Sequence, residues 1–376
     1  MLCDQDQGRV ARAFLKRFSS KVLKARIPLI GGIELTSRCN LNCVHCYVSS
    51  DDRKNRKKQP ELSTRQWMDL IDQFAEAGCL YLLFTGGETL LRTDFSEIYT
   101  HACQKGILVT IFTNGTLLSE TIIDTFNAYP PHCLEISLYG RTAGTYEKIT
   151  GVPGSFEKCM RGIYQIKEHG FNLKLKTMLL TLNSHELEDM QLFASDMGVP
   201  FRYDALISPR LDGNLAPLKY RVPVNVVAEK ESFDRQKINQ YGVLYERINA
   251  LTMSEDLYVC GAGQNLFHVD SAAILKPCFM VPGIECDLTK NNFSGAWYSK
   301  RFIDFRKQGE APQSCKACDK KPLCGYCPGF FKLETGSEQI PSAFLCEIGE
   351  LRKQMVLNLK ETESVLNQRE KINDKR

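Results

Sequence analysis

The amino-acid sequence predicts an α/β fold, in which a parallel sheet joined by crossover helices is followed by a smaller region rich in cysteine. Three observations carry this. Short β-rich runs alternate with helical patterns from Ile33 onward. The helices carry start and stop residues, and each strand runs into a segment holding Cys, Gly, Asn or Ser.

The first element is helical. Val10, Phe14, Phe18 and Val22 recur at four-residue steps among Arg9, Arg12, Lys16, Arg17, Lys21 and Lys24, so residues 1–28 read as an amphipathic helix expected to dock on the body. Strands follow at Ile33 to Thr36, Leu80 to Thr85, Ile107 to Thr113, Cys133 to Leu138, Leu173 to Thr181 and Phe201 to Ile207. Between the first two, Ser63 and Gln66 form a capping box, Trp67, Leu70, Ile71 and Phe74 make one apolar face, and Gly78 ends the helix. Asp94 with Gly106, Ser155 with Gly170 and Ser184 with Gly198 repeat that start and stop chemistry. Lys176 and Thr177 point to opposite faces of the fifth strand, and one of them faces the sheet interior. Residues 29–215 thus form the sheet domain, 216–255 a charged connector, 256–350 the cysteine-rich domain and 351–376 a helical tail, whose apolar face (Ile348, Leu351, Met355, Leu359) begins just before it.

A chain of 376 residues buries a sizeable core, and a net charge of +4 is too small to name nucleic acid as the partner. Sixteen cysteines without a signal peptide favour metal ligation in a reducing cytoplasm over disulfides. The longest clearly apolar stretch, Cys79 to Phe84, is far too short to span a bilayer. Cys79, Cys103, Cys133 and Cys159 fall in or beside predicted strands and helices and read as core packing.

Cys39, Cys43 and Cys46 are the most informative residues. Three closely spaced thiolates wrap a small metal centre yet leave it one ligand short, as a catalytic site requires and a structural zinc site does not. A four-iron four-sulfur cluster held this way keeps one iron open. Gly86-Gly87-Glu88 ends the second strand, where glycines let backbone approach a ligand and offer carbonyl oxygens to an ammonium. Asn114 and Ser137 end the third and fourth strands, and catalytic loops gather at that edge of a parallel sheet. Asp204, on the sixth strand, is the one candidate catalytic acid or base.

On the Cys39, Cys43, Cys46 spacing the chain resembles the radical S-adenosylmethionine enzymes. The resemblance implies a partial (β/α)6 TIM-like barrel, a 4Fe-4S cluster on these three cysteines, and S-adenosyl-L-methionine chelated to the open iron. It places His45 near the adenine, Gly86, Gly87 and Glu88 at the methionine amino group, and Ser137 with Asn114 near the ribose. Seven further cysteines, Cys260, Cys278, Cys315, Cys318, Cys324, Cys327 and Cys346, would suggest zinc by themselves. Beside the N-terminal trio they resemble the SPASM domain. That likeness assigns Cys315, Cys318, Cys324 and Cys346 to one auxiliary cluster and Cys260, Cys278 and Cys327 to another, with Cys286 a possible completion. Two departures stand out: Ala273 occupies a position where the family has glycine, and the gap from Cys324 to Cys327 is one residue short.

The resemblance implies hydrogen abstraction from a ribosomal peptide or protein substrate by a 5'-deoxyadenosyl radical, leading to a crosslink, a thioether or epimerisation. Tetrapyrrole (haem) synthesis and sulfatase maturation use the same two domains, and a zinc-stabilised interaction protein is the alternative of another class. Electrons would come from a flavodoxin or ferredoxin. Only 38 residues precede Cys39, so a separate leader-peptide-binding protein is expected. The basic run Arg53, Lys54, Arg56, Lys57 and Lys58 is a solvated loop or a landing site for an acidic partner.

Overall fold

The computed structural model describes residues 4–48, 61–246, 255–305, 307 and 309–373. The basic run at 53–58 lies outside them. Six parallel strands, β1 (Ile30–Thr36), β2 (Tyr81–Gly86), β3 (Leu108–Thr113), β4 (Cys133–Ser137), β5 (Leu173–Met178) and β6 (Phe201–Asp204), lie side by side in chain order. Among the described residues they do not close, and β6 is a free edge. On the other side β1 pairs in parallel with β7 (Leu266–Val269), which continues through antiparallel β8 (Ile274–Lys276) and β9 (Cys286–Asp287). The sheet is therefore a partial barrel extended by strands of the cysteine-rich region.

Helices cover the outer face: α2 (Thr64–Glu76), α3 (Phe95–Gln104), α4 (Glu120–Ala128), α5 (Ala143–Thr150), α6 (Ser155–Glu168) and α7 (Leu187–Asp196), after an N-terminal α1 (Asp4–Ala25). The expected capping box of α2 is present and its four predicted apolar residues are buried. Gly106, Gly170 and Gly198 adopt positive φ, which relieves the helix ends of a Cβ clash. Three predicted caps differ. Ser184 lies in a short 3-10 turn before α7, whose N-cap position holds Glu186. Asp94 turns its carboxylate to Arg92 and Thr64 instead of its own helix. Ser155 lies inside α6 and shares a hydrogen bond with Thr150. Strands β5 and β6 stop short of their predicted ends: Leu179 N donates to Asp204 O as the last rung between them, and Leu206 N donates to the Asp204 carboxylate in a tight turn directly after β6.

The strands alternate cleanly. Leu82, Phe84, Val109, Ile111, Leu134, Ile136, Leu173 and Leu175 join the outer core against the helices. The opposite faces carry Leu83, Thr85, Thr110, Phe112, Glu135, Ser137, Lys174, Lys176 and Met178, every one partly exposed. The barrel interior is thus a chamber reached by solvent.

The segment read as a connector folds into α8 (Val224–Ser232) and α9 (Arg235–Glu246), packed on a long C-terminal helix. The cysteine-rich region adds short helices α10 (Phe293–Trp297), α11 (Lys300–Phe305), α12 (Gln313–Lys316) and α13 (Pro328–Thr335) before the long α14 (Ala343–Asn373). Docking of α1 is confined to its end: Val22 is buried, Trp297 Nε1 donates to Arg26 O at 2.7 Å, and Phe14 is 63 % exposed. Of the stripe's described side chains, Phe14 and Phe18 are exposed and Val22, in the last turn, is buried.

Candidate functional site

All the loops that follow β1 to β6 emerge at one edge, and the cysteine loop after β1 lies among them. Its thiols act on one aromatic residue. Burial, followed by the charges of Cys43, Cys46 and Cys39, pushes the Tyr139 phenol far above its ordinary range. Tyr139 also meets the His45 ring edge-on, with centroids 4.8 Å apart. Burial pushes His45 down to about 4, leaving a neutral imidazole at physiological pH, and its Nδ1 is shut from solvent with no hydrogen-bond partner. Tyr139 was not among the sequence candidates. Its place directly beyond β4, among the other strand-end residues, was the available signal.

The Gly86-Gly87-Glu88 turn is pressed onto this loop. Gly87 N donates to Thr36 O and Glu88 N to Arg38 O, both at 2.8 Å. A Cβ on Gly87 would lie 2.0 Å from Arg38 O, and one on Gly86 2.3 Å from Thr36 O, so only glycine permits the approach. Glu88 does not face the open edge. Its carboxylate is buried and accepts from Thr113 Oγ1, Asn114 N and Leu90 N at 2.7, 2.7 and 3.1 Å. Burial outweighs these bonds and pushes its pKa up. The turn thus offers backbone, while the Glu88 side chain locks the loop after β3.

That loop is tied to the cysteines through Asn40, which the sequence reading overlooked. Asn114 Nδ2 donates to Asn40 Oδ1 at 2.8 Å, and Asn40 Nδ2 donates to Thr116 Oγ1 at 2.8 Å. Ser137 shares a hydrogen bond with Tyr139 at the end of β4. Asn183 Nδ2 donates to Tyr139 O and Met178 O, both at 3.1 Å, which joins the ends of β4 and β5. Asp204 is spent on the turn described above. Lys176, not Thr177, faces the chamber.

In the C-terminal region the thiols form two groups. Cys315, Cys318, Cys324 and Cys346 feel one another's charge, and Cys324 is pushed up to about 12, first by burial and then by the other three. Cys260, Cys278 and Cys327 form the second group. Cys286 joins neither: after burial, its charged neighbours are Asp287 and Arg301, and it packs against the main core from β9. The Glu338 carboxylate instead borders the second group, accepting from Tyr258 Oη at 2.9 Å beside Cys327. Among the described residues no three Cys, His, Asp or Glu side chains converge on a point for one metal ion. Ala273 has φ of +63°, so the chain keeps the left-handed turn at that position without glycine.

The two regions touch at the site. Tyr47, next to Cys46, packs on Phe279, next to Cys278, with ring centroids 5.4 Å apart. Phe279 in turn packs on His268, whose Nε2 lies 3.3 Å from Glu34 Oε1 inside the barrel. A separate cavity of about 750 Å³, lined by Leu187, Gln191, Val199 and Phe233, lies on the helix side of β6, and none of the thiols lines it.

The fold and the three-thiol edge define a radical S-adenosylmethionine catalytic domain, and residues 33–194 match the Radical SAM superfamily. With its SPASM-like C-terminal region the chain is homologous to bacterial peptide-maturase enzymes of that type. It is 27 % identical over 323 residues to the AdoMet-dependent heme synthase of Methanosarcina barkeri, covering 80 % of this chain and 91 % of that protein. It is 25 % identical over 339 residues to the antilisterial bacteriocin subtilosin biosynthesis protein AlbA of Bacillus subtilis, covering 85 % and 71 %. Its fold is that of Streptococcus suis SuiB, solved with the precursor peptide SuiA, at a TM-score of 0.67 and 16 % identity over 88 % of this chain and 79 % of that one. The chemistry is that of a radical SAM enzyme acting on a small molecule or a peptide. Among the described residues no helix is long and apolar enough to cross a membrane.

Proposed function

We propose that the protein cleaves S-adenosylmethionine reductively at Cys39, Cys43 and Cys46 and oxidises a substrate held in the barrel chamber. Three closely spaced thiols whose charges act on Tyr139, beside a neutral His45 that meets the same ring, carry this reading. When bound, a 4Fe-4S cluster supplies the electron that opens the carbon-sulfur bond of the cosubstrate. The chain's own residues do the rest. Gly86 and Gly87 let their turn close onto the cysteine loop, so that its backbone would border the methionine moiety, His45 and Tyr139 wall the pocket with rings, and Asn40, Asn114 and Glu88 keep the loops from drifting.

The C-terminal thiol groups would hold auxiliary clusters, and the Tyr47–Phe279 contact sets that region against the radical site for removal of an electron from the substrate. The grouping of Cys315, Cys318, Cys324 and Cys346 apart from Cys260, Cys278 and Cys327 supports two such centres. An electron-donor protein and a cytoplasmic setting belong to the same proposal.

For the substrate, the curated relatives weigh most towards a tetrapyrrole in haem synthesis, because the Methanosarcina barkeri enzyme aligns through both regions. Maturation of a ribosomal peptide, with a separate leader-binding partner, is the second reading, favoured by the similarity to AlbA across 85 % of the chain. Anaerobic reconstitution with iron and sulfide, followed by reductant and S-adenosylmethionine, tests the common core. 5'-Deoxyadenosine that disappears in Cys43→Ala is the expected result. Colourless protein carrying stoichiometric zinc would refute it. Adding an iron-tetrapyrrole carboxylic acid or a candidate precursor peptide then separates the two substrates by which one is consumed.

A further inference from the structure

The chamber beneath the cysteine loop contains a charge arrangement that the radical chemistry does not use. Lys176 Nζ lies over the Phe112 ring and 3.6 Å from Glu135 Oε2, with only 16 % of its side chain exposed. Arg202 Nη2 and Nε reach the same oxygen at 2.7 and 3.2 Å, and its side chain is 54 % exposed at the open β6 edge. Lys174, in register with Glu135, faces the same way. One carboxylate oxygen thus serves two cations, with a third cation nearby. Glu88, the other carboxylate that Lys176 feels, is occupied by Thr113, Asn114 and Leu90.

A purely structural ion pair tends to balance its charges, since an uncompensated buried cation is costly. Here the balance is incomplete on the side facing the chamber. Lys176 also sits in register with Ser137, in the layer at the mouth of the barrel, where a group bound there would lie next to the radical site. We propose that Lys176 and Arg202 anchor a carboxylate of the substrate inside the barrel, entering past the free edge of β6. This rests on the reading that the chamber receives the substrate. Both substrate classes above can carry the required group, as a tetrapyrrole side-chain acid or as an Asp or Glu residue. Burial pushes the lysine well below its ordinary range, and a bound carboxylate would restore its charge.

The test uses reconstituted full-length protein and equilibrium binding, with two matched probe pairs: coproporphyrin III against its tetracarboxamide, and a hexapeptide pool with a central glutamate against the same pool with glutamine. In at least one pair the acid should bind about tenfold or more tightly than the neutral form, as expected for a charge-assisted bond out of water. That preference should vanish in Lys176→Met and survive in Lys176→Arg. The pair that shows it identifies the source of the carboxylate. Equal or absent binding of acid and neutral forms in both pairs overturns the proposal, as does a Lys176→Met protein that keeps the preference. The acid-to-neutral ratio in wild type stands even if a variant fails to fold. Wild type that makes no 5'-deoxyadenosine would refute the radical reading and leave this measurement intact.

Discussion

The barrel and the cysteine-rich region are built by different physics. In the barrel, one continuous apolar core runs from Ile33 to Ala205 between sheet and helices, and its polar groups are gathered at one edge. The C-terminal region adds some side chains to that core, such as Phe293 and Trp297, but around its thiols it has only small clusters, for example Leu257, Tyr258, Val281 and Phe305. There a buried ion network substitutes for packing. Arg352 Nε and Nη2 donate to the fully buried Glu231 at 2.9 and 2.8 Å, Arg352 Nη1 donates to Leu323 O beside Cys324, and Lys237 lies 3.1 Å from Glu231. The comparison teaches that the barrel can hold its shape by apolar burial, whereas the thiol-bearing loops depend on charges and would be held further by clusters on their sulfurs, as proposed above.

The sharpest break between the two regions should come from their cysteines. Cys43→Ala should drop 5'-deoxyadenosine to background while leaving the thermal transition of the barrel nearly unchanged, measured by product chromatography and circular dichroism. Stripping metal with a chelator should instead open the C-terminal region, with limited proteolysis cutting between 311 and 328 long before the barrel. Equal sensitivity of the two regions would contradict the comparison.

Next in size is the ion network. Arg352→Ala leaves Glu231 buried without its main partner and should cost about 3–5 kcal/mol in urea unfolding. The pH dependence then separates packing from charge. Burial alone would push Glu231 up, but the hydrogen bonds and charges of Arg352 and then Lys237 outweigh it and hold the carboxyl below its ordinary value of 4.5. Its contribution is therefore complete above pH 4.5 and is lost as pH falls through the lower folded value. In Arg352→Ala, with burial dominant, acidification should cease to destabilise through this group. Unchanged acid sensitivity between the two proteins would rule the network out as the cause.

The smallest effect is expected at Ala273. A glycine there relieves the left-handed strain at φ of +63° but removes a buried methyl, so a net gain of about 0.5–1 kcal/mol is expected from urea melts. A loss of stability would mean that the methyl packing matters more than the turn.

Much of the barrel was legible because its signals are local. Capping residues, glycine stops and the period-two alternation of β-rich runs each act within a few residues, so α2 and the six parallel strands were placed to within a few positions. The ends of β5 and β6 were harder, because their β-rich runs continue past the last rung, Leu179 N to Asp204 O, which only the pairing of the two strands sets. A strand-end position left Asp204 looking available for chemistry, and it did not show that Tyr139 would meet the His45 ring. The exposed Phe14 and Phe18 of α1 show that an amphipathic pattern reports a face without reporting what covers it.

By itself the sequence determined the thiol spacing, the order of strands and helices and the glycines at the edge, since each is set by covalent geometry or near-neighbour sterics. Only the tertiary structure decided which groups meet. It turned Glu88 inward, kept Cys286 away from the other thiols, joined Tyr47 to Phe279 and brought Lys176 and Arg202 to one oxygen of Glu135. Those are contacts between distant parts of the chain. Their geometry follows from how the sheet curves and where its helices pack, which no local pattern of residues specifies.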